Sequence, residues 1–122
     1  MRKSGPRVLV VLSAVILGVC ILGAAPQNDQ TAKRIDITAK RFSYTPNAIT
    51  LKQGQPVVLV FHSEDVTHGI EISSLGIKRD LPKGKDVEIP ITPKEVGDFY
   101  GACSHFCGAE HASMIFEIDV VP

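Results

Sequence analysis

The chain has 122 residues, the length of one domain, and its 13 basic side chains balance 13 acidic ones. The balance is uneven: residues 1–33 hold Arg2, Lys3, Arg7 and Lys33 against Asp29 alone, which leaves residues 34–122 mildly acidic. That surface is a poor match for nucleic acid, whose backbone calls for a basic footprint, and it suits a basic partner protein.

Arg2, Lys3 and Arg7 precede an uncharged run over residues 8–25. Such a run is either a signal peptide or a membrane anchor, and its length is close to that of a spanning helix. Gly23-Ala24-Ala25 offers small residues for cleavage, but Pro26 would follow the cut. Both readings place one hydrophobic helix in residues 1–25, keep the basic flank inside and export the remainder. Cys20 lies in this run and reads as a lipid-facing or signal-peptide residue. Residues 26–33 are polar and read as a linker, and residues 34–122 as the folded domain.

Within that domain, residues 34–42 alternate Ile35, Ile37 and Ala39 with Asp36, Thr38 and Lys40, the pattern of a half-buried strand. Tyr44-Thr45-Pro46-Asn47 is a turn signal, residues 48–51 form a short strand, and Gly54 marks a second turn. Residues 56–61 are apolar and β-branched, as in a central strand, and the polar stretch 62–67 is a loop. Ile70 and Ile72 alternate with Glu71 in the next strand. Residues 73–85 contain Gly76, Pro82 and Gly84 and read as a long connection. Val87, Ile89 and Ile91 form a strand that Pro90 assigns to a sheet edge. Strands over 98–102 and 114–121 complete the set, with Ile115 or Phe116, Ile118 and Val120 available to the core. About eight short strands separated by turns give an all-β, antiparallel sandwich or barrel.

Between the last two strands, residues 101–114 gather Cys103, His105, Cys107, His111 and Met114. Cys103, Cys107, His111 and Met114 fall at i, i+4, i+8 and i+11, but Gly101 and Gly108 argue against a regular helix. A compact loop, its ends fixed by strands, lets these side chains converge. His68, in Asp65-Val66-Thr67-His68, is the candidate that closes the site from elsewhere. Three chemistries compete. A Cys103–Cys107 disulfide leaves His68, His111 and Met114 unexplained. Zinc held by two Cys and two His makes no use of Met114. Copper suits thiolate, thioether and imidazole together: a single blue-copper ion leaves one cysteine over, whereas a two-copper centre bridged by both thiolates uses every soft group. His62 reads as a surface or structural histidine.

The run from Cys103 to Met114 resembles the CuA signature, C-x-x-x-C-G-x-x-H-x-x-M, of cytochrome c oxidase subunit II. Asp65-Val66-Thr67-His68 is similar to that family's upstream D-V-x-H segment, and Ser74-Leu75-Gly76-Ile77-Lys78, Asp80 and Gly97-Asp98-Phe99-Tyr100-Gly101 also match. The resemblance covers most of residues 35–121 and implies a cupredoxin-like Greek-key β-sandwich. It implies that Cys103 and Cys107 bridge two copper ions and that His68 and His111 each bind one. Met114 and the backbone carbonyl of His105 would be the weak ligands. The implied donor is a c-type cytochrome or a small copper protein. The implied acceptor is the large subunit of a haem–copper oxidase, on the periplasmic side of the cytoplasmic membrane. The chain alone would carry electrons rather than catalyse. It departs from the family in three ways: His105 stands where Glu is usual, one hydrophobic helix replaces two, and there is no Trp. Phe42 or Tyr44 would stand in for Trp in taking up electrons. Asp65 matches a family carboxylate near the partner surface, and equally suits a turn-capping acid. Ala109 and Ala112 would keep a small apolar docking surface. These departures leave open a stand-alone cupredoxin that binds or delivers copper outside an oxidase.

Overall fold

The computed structural model describes residues 32–122, with Gly5 and Gly23 taken singly. The expected hydrophobic helix in residues 1–25, with Cys20, lies outside the described residues, as does most of the linker. Among the described residues no helix is long and apolar enough to cross a membrane.

The described residues form nine strands: β1 (Lys33–Lys40), β2 (Ser43–Thr45), β3 (Ala48–Lys52), β4 (Val57–Ser63), β5 (His68–Ile72), β6 (Ile77–Leu81), β7 (Asp86–Ile91), β8 (Gly97–Ala102) and β9 (Ile115–Val121). They build two sheets, one in the order β2-β1-β4-β7 and one in the order β3-β9-β8-β5-β6. The β-sandwich expected from the alternation is thus present. Most pairings are antiparallel, but β1 runs parallel to β4 and β3 parallel to β9. The reason is topological: the chain leaves β1, crosses to the other sheet for β3, and returns beside β1 in β4. Parallel neighbours need such a crossover rather than a hairpin.

Two local expectations are corrected. Tyr44 and Thr45, read as a turn, belong to β2, where buried Tyr44 pairs with Ala39. Residues 73–85, read as a connection, contain a 3₁₀ turn at Ser73–Leu75 and the strand β6. β6 is an edge strand, and its Lys78, Arg79 and Asp80 are exposed. Charge on an edge blunts pairing with other chains, and here it hid the strand from a reading based on apolar alternation. Two boundaries also shift: β1 ends at Lys40, so Arg41 and Phe42 form a turn, and β4 runs on through His62 and Ser63. β7, with Pro90, lies at an edge, and β4 lies inside its sheet. Phe116, not the exposed Ile115, enters the core.

Tyr44, Phe61 and Phe116 meet edge to face between the sheets, with ring centroids 5.5 to 6.0 Å apart. Such contacts contribute about 0.5–1.5 kcal/mol each beyond the area they bury. His62 is half exposed on β4 and its Nδ1 lies 2.7 Å from Asp86 Oδ1, directly opposite on β7. It is a surface histidine.

Candidate metal centre

β8 pairs with β9 along its whole length, up to Ala102 opposite Ile115, so the chain between them must turn back tightly. The Cys103 backbone N–H donates to the Met114 carbonyl at 3.1 Å and closes the neck of this loop. Inside it, a 3₁₀ turn at His111–Ser113 folds the second half back on the first. Cys103 Sγ and Cys107 Sγ come within 3.5 Å of each other as free thiols. That is well beyond the roughly 2.05 Å of a disulfide bond. The carbonyl oxygen of His105 lies 3.0 Å from Cys103 Sγ, and His111 Nδ1 lies 3.8 Å from Cys107 Sγ. Met114 is fully buried, in the apolar cluster that includes both cysteines.

His68 arrives from the other sequence segment as the first residue of β5. One of its ring nitrogens and the two Sγ atoms lie within 4.8 Å of one another. Two glycines permit this approach. A Cβ on Gly69 would stand 2.9 Å from the His105 backbone nitrogen, and one on Gly101 would stand 2.6 Å from Ile72 Cγ1. Only a residue without a side chain lets β5 come this close to β8 and its loop.

The His68 ring is fixed from behind. Its Nε2 lies 2.7 Å from Asp65 Oδ1, while its Nδ1 is buried with no hydrogen-bond partner. A carboxylate at Nε2 favours the proton there and leaves Nδ1 as a lone-pair donor. Leaving such a buried group unsatisfied costs about 1–3 kcal/mol. A metal ion bonded to Nδ1 would remove that cost, so the donor set fits a metal. Asp65 Oδ1 also accepts from the Val66 N–H, and Oδ2 from the Arg41 N–H at 2.9 Å. Desolvation pulls the Asp65 carboxyl up. The Arg41 N–H, the His68 ring and the Val66 N–H outweigh it and hold the group down at about 2. Asp65 therefore caps its turn, as one reading of the sequence had it, and also orients the His68 ring.

Burial pushes the Cys107 thiol up to about 11, helped by the adjoining Cys103 and opposed by Arg41. Binding a metal at this site therefore displaces protons. Burial and the two nearby thiols also raise the Tyr44 phenol, which stays protonated and donates to the Gly69 carbonyl at 2.5 Å. Tyr44 is thus a core support beneath the site and has no exposed face for taking up electrons, a correction to one expectation.

The expected residues come together unevenly. His68, Cys103 and Cys107 form the compact cluster, and His111 joins it through Cys107. Only the carbonyl of His105 faces a thiol; its ring is exposed, with Nδ1 3.9 Å from Asp80 Oδ1. Two neighbours of the site were not singled out from sequence. Arg41 Nε donates to the Cys107 carbonyl at 2.9 Å. Phe106 is 77% exposed, with its ring centroid 5.8 Å from that of His111. Phe106 lies inside the motif, so it could have been weighed as a surface residue. Nothing in the sequence around Arg41 marks it.

A family model described as a cupredoxin-like domain matches residues 13–115. Among solved structures, the chain is similar to the periplasmic domain of cytochrome oxidase subunit II (CoxB) of Bradyrhizobium japonicum. The identity is 23%, over 73% of this chain and 83% of that one, with a TM-score of 0.67. It is also similar to the metal-binding domain of the Cu(I)-exporting P-type ATPase CopA of Streptococcus pneumoniae D39, at 24% identity over 73% and 85% of the two chains, with a TM-score of 0.63. An apo-form copper-binding protein solved by NMR matches at 27% identity over 72% and 86%, with a TM-score of 0.59.

Proposed function

The chain belongs to the cupredoxin-like family, and we propose that it is a copper-binding electron-transfer protein whose site holds two copper ions as a CuA centre. The observation that carries this reading is the pair of buried free thiols 3.5 Å apart, beside an unpartnered imidazole nitrogen. Cys103 and Cys107 would bridge the metals, and His68 and His111 would each bind one. Met114 and the His105 carbonyl would be the weak ligands. Such a centre supplies a one-electron store in which the change of charge is shared between two metals.

The protein's own part is to hold the donors still and dry. β8 and β9 anchor the loop, Asp65 fixes the His68 tautomer, and burial excludes water from the thiols. Donors that move little on reduction favour fast electron transfer. Exposed Phe106, Ala109 and Ala112 leave an apolar surface beside His111. It suits docking of a c-type cytochrome or small copper protein, and the mildly acidic domain favours a basic donor. The acceptor would be the haem–copper core in the large subunit of an oxidase. The domain would work on the periplasmic side, tethered or released according to the fate of residues 1–25.

One observation favours a second reading, a stand-alone protein for copper binding or delivery. The residue between the cysteines is His105, whose exposed ring faces Asp80, where the oxidase family usually has Glu. Purification of the native full-length chain separates the two. Two coppers per chain and a copurifying haem-containing large subunit support the oxidase reading. One readily chelated copper and no haem partner support delivery. Zinc in place of copper removes both.

A further inference from the structure

The turn after β1 supplies no ligand, yet it touches both ligand-bearing segments. The Arg41 backbone N–H donates to Asp65 Oδ2, and Asp65 Oδ1 meets His68 Nε2 at 2.7 Å. The Arg41 guanidinium Nε donates to the Cys107 carbonyl at 2.9 Å. One residue therefore links the holder of His68 to the backbone of Cys107, two segments about forty residues apart in sequence. The next residue completes the seat. Gly108 has φ +145°, and a Cβ there would stand 2.7 Å from the Phe42 ring. The loop is thus pressed against the turn directly after Cys107.

The charge of Arg41 matters as well. Among the described residues its guanidinium makes no ion pair, unlike Arg34 with Glu88 or Lys78 with Glu71. Its charge sits on the Cys107 carbonyl and acts on the Cys107 thiol against the Asp65 carboxylate, which accepts from Arg41's own backbone N–H. A fixed positive charge stabilises whichever state of a neighbouring site carries more negative charge. Reduction of the centre adds one electron, supplied by a reduced c-type cytochrome or copper protein that is thereby oxidised. No bond is made and no proton moves.

We propose that Arg41 is a positioning residue of the copper centre, clamping Cys107 to the Asp65–His68 pair and raising the reduction potential through its positive charge. This rests on the copper reading above. The test uses the full-length chain and its Arg41→Gln and Arg41→Lys variants. Copper retention is read by competition with a chelator, the potential by redox titration, and amide exchange over residues 104–111 in the metal-free chains. Arg41→Gln loses both contact and charge. It should hold copper roughly tenfold more weakly, exchange its loop amides faster and show a lower potential. Arg41→Lys keeps the charge without the planar Nε contact. It should restore most of the potential while exchange and affinity stay impaired. Arg41 is exposed, so both variants should fold. Wild-type affinity and exchange in Arg41→Gln would overturn the clamp, and a wild-type potential would overturn the charge effect. If the wild-type chain takes up no copper, the copper reading fails, and amide exchange still decides the clamp.

Discussion

The two sheets do different work. All the candidate side-chain ligands belong to the five-stranded sheet: His68 opens β5, and the other four lie between β8 and β9. The four-stranded sheet and its connections supply what holds them. Tyr44 of β2 bonds Gly69, Arg41 at the end of β1 bonds Cys107, and Asp65 just after β4 bonds His68. Ligand chemistry sits on one layer and ligand geometry on the other. A change in the first should erase the site, whereas a change in the second should leave a site that is looser or a fold that is weaker.

The largest effect expected is from Cys107→Ser. It removes one of the two thiolates, so the two-copper absorption and magnetic signals should vanish while circular dichroism still reports a β fold. Retention of the wild-type copper spectrum would break the division between the sheets. In the supporting layer, Phe61→Ala should cost about 3–5 kcal/mol in denaturant unfolding. Phe61 is fully buried against Tyr44 and Phe116. The fraction that stays folded should keep a wild-type copper spectrum.

Asp65→Asn sharpens the comparison further. It keeps the shape and loses the charge that fixes His68, so copper affinity should fall roughly 10- to 100-fold with the ligand set intact. The same substitution has a pH signature in the metal-free chain. Asp65 titrates at about 2 when folded, against an ordinary 3.8. Its contribution is therefore fully present above about pH 4 and is lost as the pH falls towards 2. Unfolding measured across that range should show the wild-type advantage over Asp65→Asn shrinking with acidity. The smallest effect is expected at Glu88, whose pair with Arg34 lies in solvent. Glu88→Gln should leave both stability and copper binding at their wild-type values, because exposed pairs gain little over hydration.

The same division explains what the sequence could tell. Candidate ligands are unusual residues, and Cys103, Cys107, His111 and Met114 stand close together in the chain, so the candidate cluster was legible before any fold. A continuous apolar, β-branched run likewise marked the interior strand β4, and alternation with Pro90 marked the edge strand β7. The supports are ordinary residues whose meaning comes from folding. Arg41 read as the end of a strand, until the fold turned the chain there and set its guanidinium on the Cys107 carbonyl. Tyr44 read as part of a turn because its three-residue strand is too short to show a period. β6 was masked by the charges that protect an edge. His105 shows the opposite problem: its imidazole drew attention, while the structure turns its carbonyl to the thiol and its ring to solvent.

The most direct test of the central claim is electron paramagnetic resonance of the copper-loaded, full-length chain. The paired thiols predict hyperfine structure from two equivalent copper nuclei sharing one unpaired electron. A spectrum from a single copper nucleus would contradict the bridged centre and leave a mononuclear copper site in its place.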